Sequence, residues 1–472
     1  MSKTLFFYDL ETSGLNPRED RIMQFAGIRT DLKFNQIAEP VNLLVRINDD
    51  TLPSPDAILT TGITPQKTIE EGLSEAEFAK FLNQKVFLPD TIVIGFNNIR
   101  FDDAFIRHLL WRNFYDPYEW SWKDGRSRWD VLDLVRMTRA LRPEGINWPF
   151  TKDGIATNTL ESISQANNLT HKKAHDALSD VEALIAIAKL IHGKQPQLYE
   201  YLFNMRDKKS IKNLVNLEDK KPFVYSSGRY ASEFNKTTIA FPLTTTKNGN
   251  IIVYDLRYNP EPFINLNTNE LSKIIYANYE ERQKDGYMPV PVKELHYNRS
   301  PAVAPIGVLS QSDGWNKIAL KEEVISKNIK TLISNPSFAE NIRSIYENRE
   351  EYPKFLDVEA QLYDSFVPDE DKIRVEAVRN ADANQLADMN PEFTDDRLPE
   401  LLLHYKARNY PKSLSVDETI AWEKWRSNRI VAGIDSYMDR INQLSISEKD
   451  ENRLYILKEL QLWAESIVPA LD

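Results

Sequence analysis

The stretch FFYDLETSG, residues 6–14, sets two acids one residue apart, Asp9 and Glu11. The run before them reads as a strand, and on a strand residues two apart share a face, so the two carboxylates point the same way. That strand is apolar on both faces, as in the centre of a covered sheet. Neighbouring carboxylates in such a place repel each other and are costly to desolvate. Divalent cations would resolve the conflict. The plain alternative is a solvated strand end entering a turn closed by Gly14 and Pro17.

Two later stretches carry acids of the same kind. In TIVIGFNNIRFDDAFIRHLL a strand feeds a helix. At ~100° per residue, Phe101, Phe105, Ile106, Leu109 and Leu110 gather on one side. Asp102 falls in the middle of that apolar face, with Asp103 about 100° away on its edge. A lone acid is almost never fully buried unpaired, so Asp102 is informative. Its plain alternative is a first-turn acid favoured by the helix dipole. In KKAHDALSDVEALIAIAKLIH, Asp180 projects into the face made by Val181, Leu184, Ile187, Ala188 and Ile191, whereas Glu182 and Lys189 project away. His175 precedes that helix, where a loop can aim it at the same pocket, and its unperturbed pKa of about 6.5 suits a general base.

Asp9, Glu11, Asp102 and Asp180 can therefore converge on a pair of cations. Two metals ~4 Å apart clamp the attacking and leaving oxygens of a phosphodiester in an in-line displacement. His175 would take the proton from the attacking water. The rival reading of DLET is an aspartyl phosphatase, with Asp9 as the phosphorylated nucleophile. That fingerprint wants a second Asp and a Thr or Val where this chain has Glu11 and Ser13, and it leaves Asp180 and His175 without a role.

The elements that must hold these groups follow from periodicity. Thr4–Tyr8, Gln24–Arg29 and Thr91–Gly95 read as strands, and Phe101–Trp111, Asp130–Ala140 and Asp176–Ile191 as helices. The alternation predicts an α/β domain over residues 1–195. From 196 to 350 β-branched and aromatic runs predict a small β barrel or sandwich, with Asn248-Gly249 as a hairpin turn. From 352 to 472 the pattern is amphipathic and helical.

Composition narrows the chemistry. The 472 residues contain no cysteine, which excludes disulfides, thiol nucleophiles and Cys-based metal sites. The six histidines make no HExxH pair, so a catalytic metal rests on carboxylates, which suit Mg²⁺ or Mn²⁺. No apolar run approaches the ~20 residues that span a bilayer. The opening MSKTLFFYDLE turns acidic too soon for a secretory signal, so the cytoplasm is expected. A net charge of −11 means that any nucleic-acid groove must concentrate its positive residues locally.

At these motifs the sequence resembles the DEDDh 3′→5′ exonucleases of the ribonuclease H-like fold. DxE in DLETSG, NxxFD at Asn98–Asp102 and HxxxxD at His175–Asp180 match that family's motifs in order. TTGITPQ (60–66), FNNIRFDD (96–103), RNFYDPYEWSW (112–122), SRWDVLDLVR (127–136), ALRPEGINWP (140–149) and AHDALSDV (174–181) are similar to the bacterial exodeoxyribonuclease I family. YLFNMRDK (201–208), DVEAQLYDSF (357–366) and LLLHYKARNYP (401–411) extend the likeness over nearly the whole chain. The resemblance implies an exonuclease domain, an SH3-like barrel and a helical C-terminal domain. It also implies processive release of nucleoside 5′-monophosphates from single-stranded DNA in repair and recombination, by a monomer. Asp9, Glu11, Asp102 and Asp180 would hold two Mg²⁺ ions, with Mn²⁺ able to substitute, and His175 would be the base. The acidic C-terminal tail of single-stranded DNA-binding protein is an implied partner. Thr159 stands where the family suggests an arginine contacting substrate.

Gripping one strand requires positive charge and stacking faces. Residues 100–142 interleave eight arginines (Arg100, Arg107, Arg112, Arg126, Arg128, Arg136, Arg139 and Arg142) with Trp111, Phe114, Tyr115, Tyr118, Trp120, Trp122 and Trp129. The expectation is a channel lined by these arginines, with half of the aromatics facing DNA. Arg107, Tyr118, Trp122 and Arg136 are the chosen substrate contacts, joined by Glu11, Thr159 and Tyr201. Arg408–Pro411 and Trp422–Arg426 are read as helix packing rather than DNA contacts.

Overall fold

The computed structural model describes residues 3–169, 176–349 and 353–469. It forms two compact units. The first combines the chain through Arg128, the segment ending at Ile185 and everything described from Pro353 onward; the second takes up the chain at Trp129 and again at Ala186.

The first unit is built on a five-stranded sheet in the order β3-β2-β1-β4-β5, from β1 (Thr4–Thr12), β2 (Ile22–Thr30), β3 (Val41–Leu44), β4 (Thr91–Gly95) and β5 (Ser127–Asp130). β1 runs four residues beyond the sequence expectation. Antiparallel β2 satisfies its backbone past both acids, pairing Asp9 with Ala26 and Glu11 with Gln24. The two acids therefore sit inside a paired strand, and Glu11 is only 9% exposed, which removes the solvated-end alternative. Between Glu11 and Thr12 the register slips, because Thr12 pairs with Ile22 and leaves Met23 extra. Such a bulge re-aims the neighbouring side chain.

One face of β1 packs Phe6, Tyr8 and Leu10 against Phe25, Phe78 and Val93 and against Phe105, Ile106 and Leu109 of helix α1 (Asp102–Arg112). Helix α2 (Ala177–Lys194) has Asp180 in its first turn. The C-terminal segment contributes a 3₁₀ stretch, Val358–Tyr363, and helices α3 (Leu398–Asn409), α4 (Val416–Ser447) and α5 (Glu451–Ile467). A capping box between Ser415 and Glu418 starts α4. These helices do not keep a core to themselves. Ile430, Tyr437, Leu457, Leu460 and Trp463 share one with Met23, Ile47, Ile58 and Ile63, and the Trp463 indole donates to the Thr51 carbonyl at 3.0 Å.

The second unit carries an antiparallel sheet in the order β10-β6-β7-β8-β9, from β6 (Phe223–Ser226), β7 (Thr237–Thr245), β8 (Ile251–Asp255), β9 (Val292–Leu295) and β10 (Ala302–Pro305). The expected hairpin turn joins β7 to β8, with Gly249 at φ 71°, a left-handed conformation that favours glycine. Among the described residues no helix is long and apolar enough to cross a membrane.

Because Trp463 ties the two ends of the chain into one core, Trp463→Ala should cost about 3–5 kcal/mol. Urea unfolding checks this, and a loss under about 1 kcal/mol would mean that the C-terminal helices contribute no shared core.

Candidate active site

The first unit brings together acids from all three motifs. One carboxylate oxygen each from Asp9, Glu11 and Asp180 lies within 4.8 Å of the others. Asp102, buried at the start of α1, is the strongest charged neighbour of Asp9. The scaffold explains this convergence. β1 presents two acids on one face, and α1 and α2 each bring an acid in the first turn, where the helix dipole favours negative charge. Burial pushes the Asp9 carboxyl well above its usual range, and Asp102, Glu11 and Asp180 push it further. Glu11 is pushed up to about 8 by burial and by Asp180 and Asp176. Such a set of crowded oxygen donors fits hard divalent cations, whose charge replaces the missing counterions. His175 lies outside the described residues.

Two nearby acids escaped the sequence reading. Asp103, expected on the edge of the apolar face, is completely buried. The Tyr8 hydroxyl donates to it at 2.8 Å, the Asn98 amide at 3.3 Å, and Arg128 forms an ion pair with it. The helical wheel counts only the helix's own stripe; β1 and β5 cover the other side. Burial and the Asp103 and Asp102 charges push the Tyr8 phenol up. Gly95 is needed here, because a Cβ would stand 2.5 Å from the Asn98 Cβ. Asp176 is the second missed acid: its carbonyl accepts the Asp180 amide at 3.0 Å, and its charge acts on Glu11. Its place directly after His175 in the motif was the available signal.

Asp357, Glu359 and His404 form another group with ligating atoms within 4.8 Å. Glu359, however, pairs with Arg21 at 3.0 Å and Arg408 at 2.5 Å, so guanidinium groups already supply the countercharge.

The arginine-lined channel needs correction. Arg112 is buried in an ion pair with Glu75 at 2.6 Å, and Arg128 in its pair with Asp103. Arg139 is buried against the carbonyls of Thr157 and Pro149. Arg126 donates to the Phe87 carbonyl and Arg142 to the Val308 carbonyl. Of the aromatics, Trp111, Phe114, Trp120 and Trp129 are core residues. Dense aromatics and arginines look alike in sequence whether they face a ligand or a core, because an arginine that finds carbonyls or a carboxylate can be buried.

The chosen contacts fare differently from one another. In the first unit the Arg107 guanidinium lies 5.5 Å from the Tyr118 ring centroid, and Trp122 is 63% exposed. In the second, Arg136 is paired with Asp133 at 2.6 Å. Thr159 caps the helix Leu160–Ala166, its hydroxyl accepting the Ser162 amide. Tyr201 is half-buried, and burial pushes its phenol up to about 12. Arg408 and Trp422 are buried in packing, as read from sequence.

Fold and site together define an α/β protein with a carboxylate centre, of the class the comparisons name as exonucleases. Family models match in order along the chain: Exonuclease over residues 6–188, Exonuclease I SH3-like domain over 206–348 and Exonuclease I C-terminal domain over 356–467. The chain is 38% identical to exodeoxyribonuclease I of Haemophilus influenzae over 97% of both chains, and 37% identical to that of Escherichia coli over 98% of both. The structure of E. coli exonuclease I with a dA16 oligonucleotide superposes with a TM-score of 0.96 at 36% identity, covering 99% of this chain and 100% of that one. Exonuclease I of Methylocaldum szegediense superposes at 0.94 with 38% identity and the same coverage. The chain belongs to the exodeoxyribonuclease I family, as the motif resemblance implied.

The raised carboxyls set the direction of a pH effect. In the metal-free protein the folded state holds the Glu11 proton more tightly than the unfolded chain does. Stability therefore falls as pH rises from the ordinary glutamate range to about 8. Cation binding must expel that proton, so affinity strengthens over the same window and then levels. Thermal melts with and without Mn²⁺ should show a larger metal-induced rise in Tm at pH 8 than at pH 6. An equal rise at both would contradict this site.

Proposed function

We propose that this protein is a cytoplasmic, monomeric 3′→5′ exonuclease that removes nucleoside 5′-monophosphates from single-stranded DNA in repair and recombination. The observation that carries the proposal is the meeting of Asp9, Glu11 and Asp180, with Asp102 beside Asp9, at the end of a covered sheet. Full-length likeness to curated exodeoxyribonucleases I, and to an exonuclease I solved with dA16 and dT13 oligonucleotides, supports it.

We assign Asp9, Glu11, Asp102 and Asp180 to two Mg²⁺ ions, for which Mn²⁺ can substitute. A zinc-bound form of the E. coli ExoI–ssDNA complex supports metal binding in the family. When bound, the cations supply the positive charge that steadies the attacking and leaving oxygens of an in-line displacement. His175 accepts the proton of the attacking water. Glu11 is also assigned a contact with the terminal nucleotide. Arg107, held over Tyr118, meets a phosphate, and Tyr118 and the exposed Trp122 offer faces to bases. Arg136, Thr159 and Tyr201 are assigned the same role in the second unit. The three sequence blocks 1–195, 196–350 and 352–472 are proposed as exonuclease, SH3-like and helical domains. The acidic tail of single-stranded DNA-binding protein is the proposed partner, consistent with a solved SSB/Exonuclease I structure.

RNA is the alternative substrate to test. The likeness to the oligoribonuclease of E. coli O157:H7, 30% identical, covers only 32% of this chain, which favours DNA. End-labelled DNA, single-stranded and duplexed, and RNA of the same sequence should separate the readings, with Mg²⁺ and with EDTA. Metal-dependent release of mononucleotides from the 3′ end of single-stranded DNA is expected. Asp180→Ala should reduce it on the order of 10³-fold while strand binding persists. Release from RNA alone, or full activity in Asp180→Ala, would overturn the proposal.

A further inference from the structure

A closed set of buried charges joins the loop after the first acids to the C-terminal segment. Arg21 pairs with Asp50 at 3.3 Å and with Glu359 at 3.0 Å, and Arg408 pairs with the same two carboxylates at 2.8 and 2.5 Å. His404 Nδ1 lies 2.9 Å from Glu359. All five side chains are at most 2% exposed. Two guanidinium groups and two carboxylates alternate, so removing one member leaves the others buried and unbalanced.

Arg21 is where this network meets the site. Its amide donates to Ser13 Oγ, and its carbonyl accepts the Ser13 amide, each at 2.8 Å. The next residue, Ile22, pairs with Thr12 across the bulge that follows Glu11. The loop between is held from the same C-terminal segment at two more points. The Arg18 guanidinium stands 4.7 Å from the Phe355 ring centroid, and Arg429 donates to the Glu19 carbonyl at 2.9 Å and to the Asp50 carbonyl at 3.0 Å.

We infer that Glu359, acting through Arg21, is a positioning residue for Glu11: the C-terminal segment fixes the bulge that aims this carboxylate. The inference rests on the proposed nuclease reading of the acid cluster. It assigns the C-terminal segment a part in chemistry. A misplacement of about 1 Å in a catalytic group can cost ~10²-fold in rate.

The test separates chemistry from binding. The single-turnover rate of 3′-nucleotide release is measured at saturating enzyme with Mg²⁺, and the Kd for the same single-stranded oligonucleotide is measured in EDTA. Wild type, Glu359→Gln and Arg429→Ala are compared. Glu359→Gln should slow release about 10–100-fold and Arg429→Ala a few-fold, with each Kd within about threefold of wild type. Weakened Kd with an intact rate would overturn the inference in favour of strand binding, and wild-type values for both would make the network merely structural. If Glu359→Gln fails to fold, the half-buried Arg429→Ala decides alone by the same criteria. Absence of metal-dependent release by the wild type would instead count against the nuclease reading itself.

Discussion

The structure depends on one electrostatic conflict, the crowding of carboxylates in a place with little water. Like charges a few ångströms apart disfavour ionisation, and burial adds to the cost. Nothing in folding alone rewards such a cluster, so the rest of the first unit must impose it. Antiparallel pairing with β2, which continues past both residues, fixes Asp9 and Glu11 where they cannot turn away to solvent. Two helix starts deliver Asp102 and Asp180 from other directions with favourable dipoles.

The same unit shows how buried acids look when they serve stability. Asp103 has Arg128, Glu75 has Arg112, and Asp50 and Glu359 share Arg21 and Arg408. Asp50 and Glu359 are accordingly held well below the usual carboxylate range despite complete burial, with Arg408 the largest of the charges that lower each. Asp9 and Glu11 move in the opposite direction, because burial raises them and the charges around them, being acids too, add to it. The divergence distinguishes Asp50 and Glu359 from Asp9 and Glu11, and a carboxyl raised within a cluster of acids is a candidate functional group. Within the Asp357–Glu359–His404 group, Glu359 falls on the structural side by this criterion, whereas burial and the Glu359 charge push Asp357 up.

Much of the site was legible in sequence because its signals are local. A two-residue spacing on a strand and an acid within an apolar helical stripe need no knowledge of distant segments, and they found Asp9, Glu11, Asp102 and Asp180. The ends of β1 were less legible, since pairing with β2 extends the strand past its apolar run. Asp103 was misplaced for a related reason: Tyr8 and Arg128, which bury it, come from strands far away in sequence. The arginine-rich and aromatic stretch misled because composition does not distinguish a surface from a core. Arg21 and Glu359 are separated by 338 positions, and no periodicity links them. The shared core between Met23 and Trp463 is equally silent in sequence, although each half is visibly amphipathic.

The central claim is that the acids of β1, α1 and α2 form a cation site while the buried charges elsewhere do not. Anomalous diffraction from crystals soaked in Mn²⁺ tests it most directly. The account predicts Mn²⁺ peaks within coordination distance of Asp9, Glu11, Asp102 and Asp180, and none at Asp357, Glu359 and His404. Peaks at the second group, or none at the first under conditions that support activity, would contradict it.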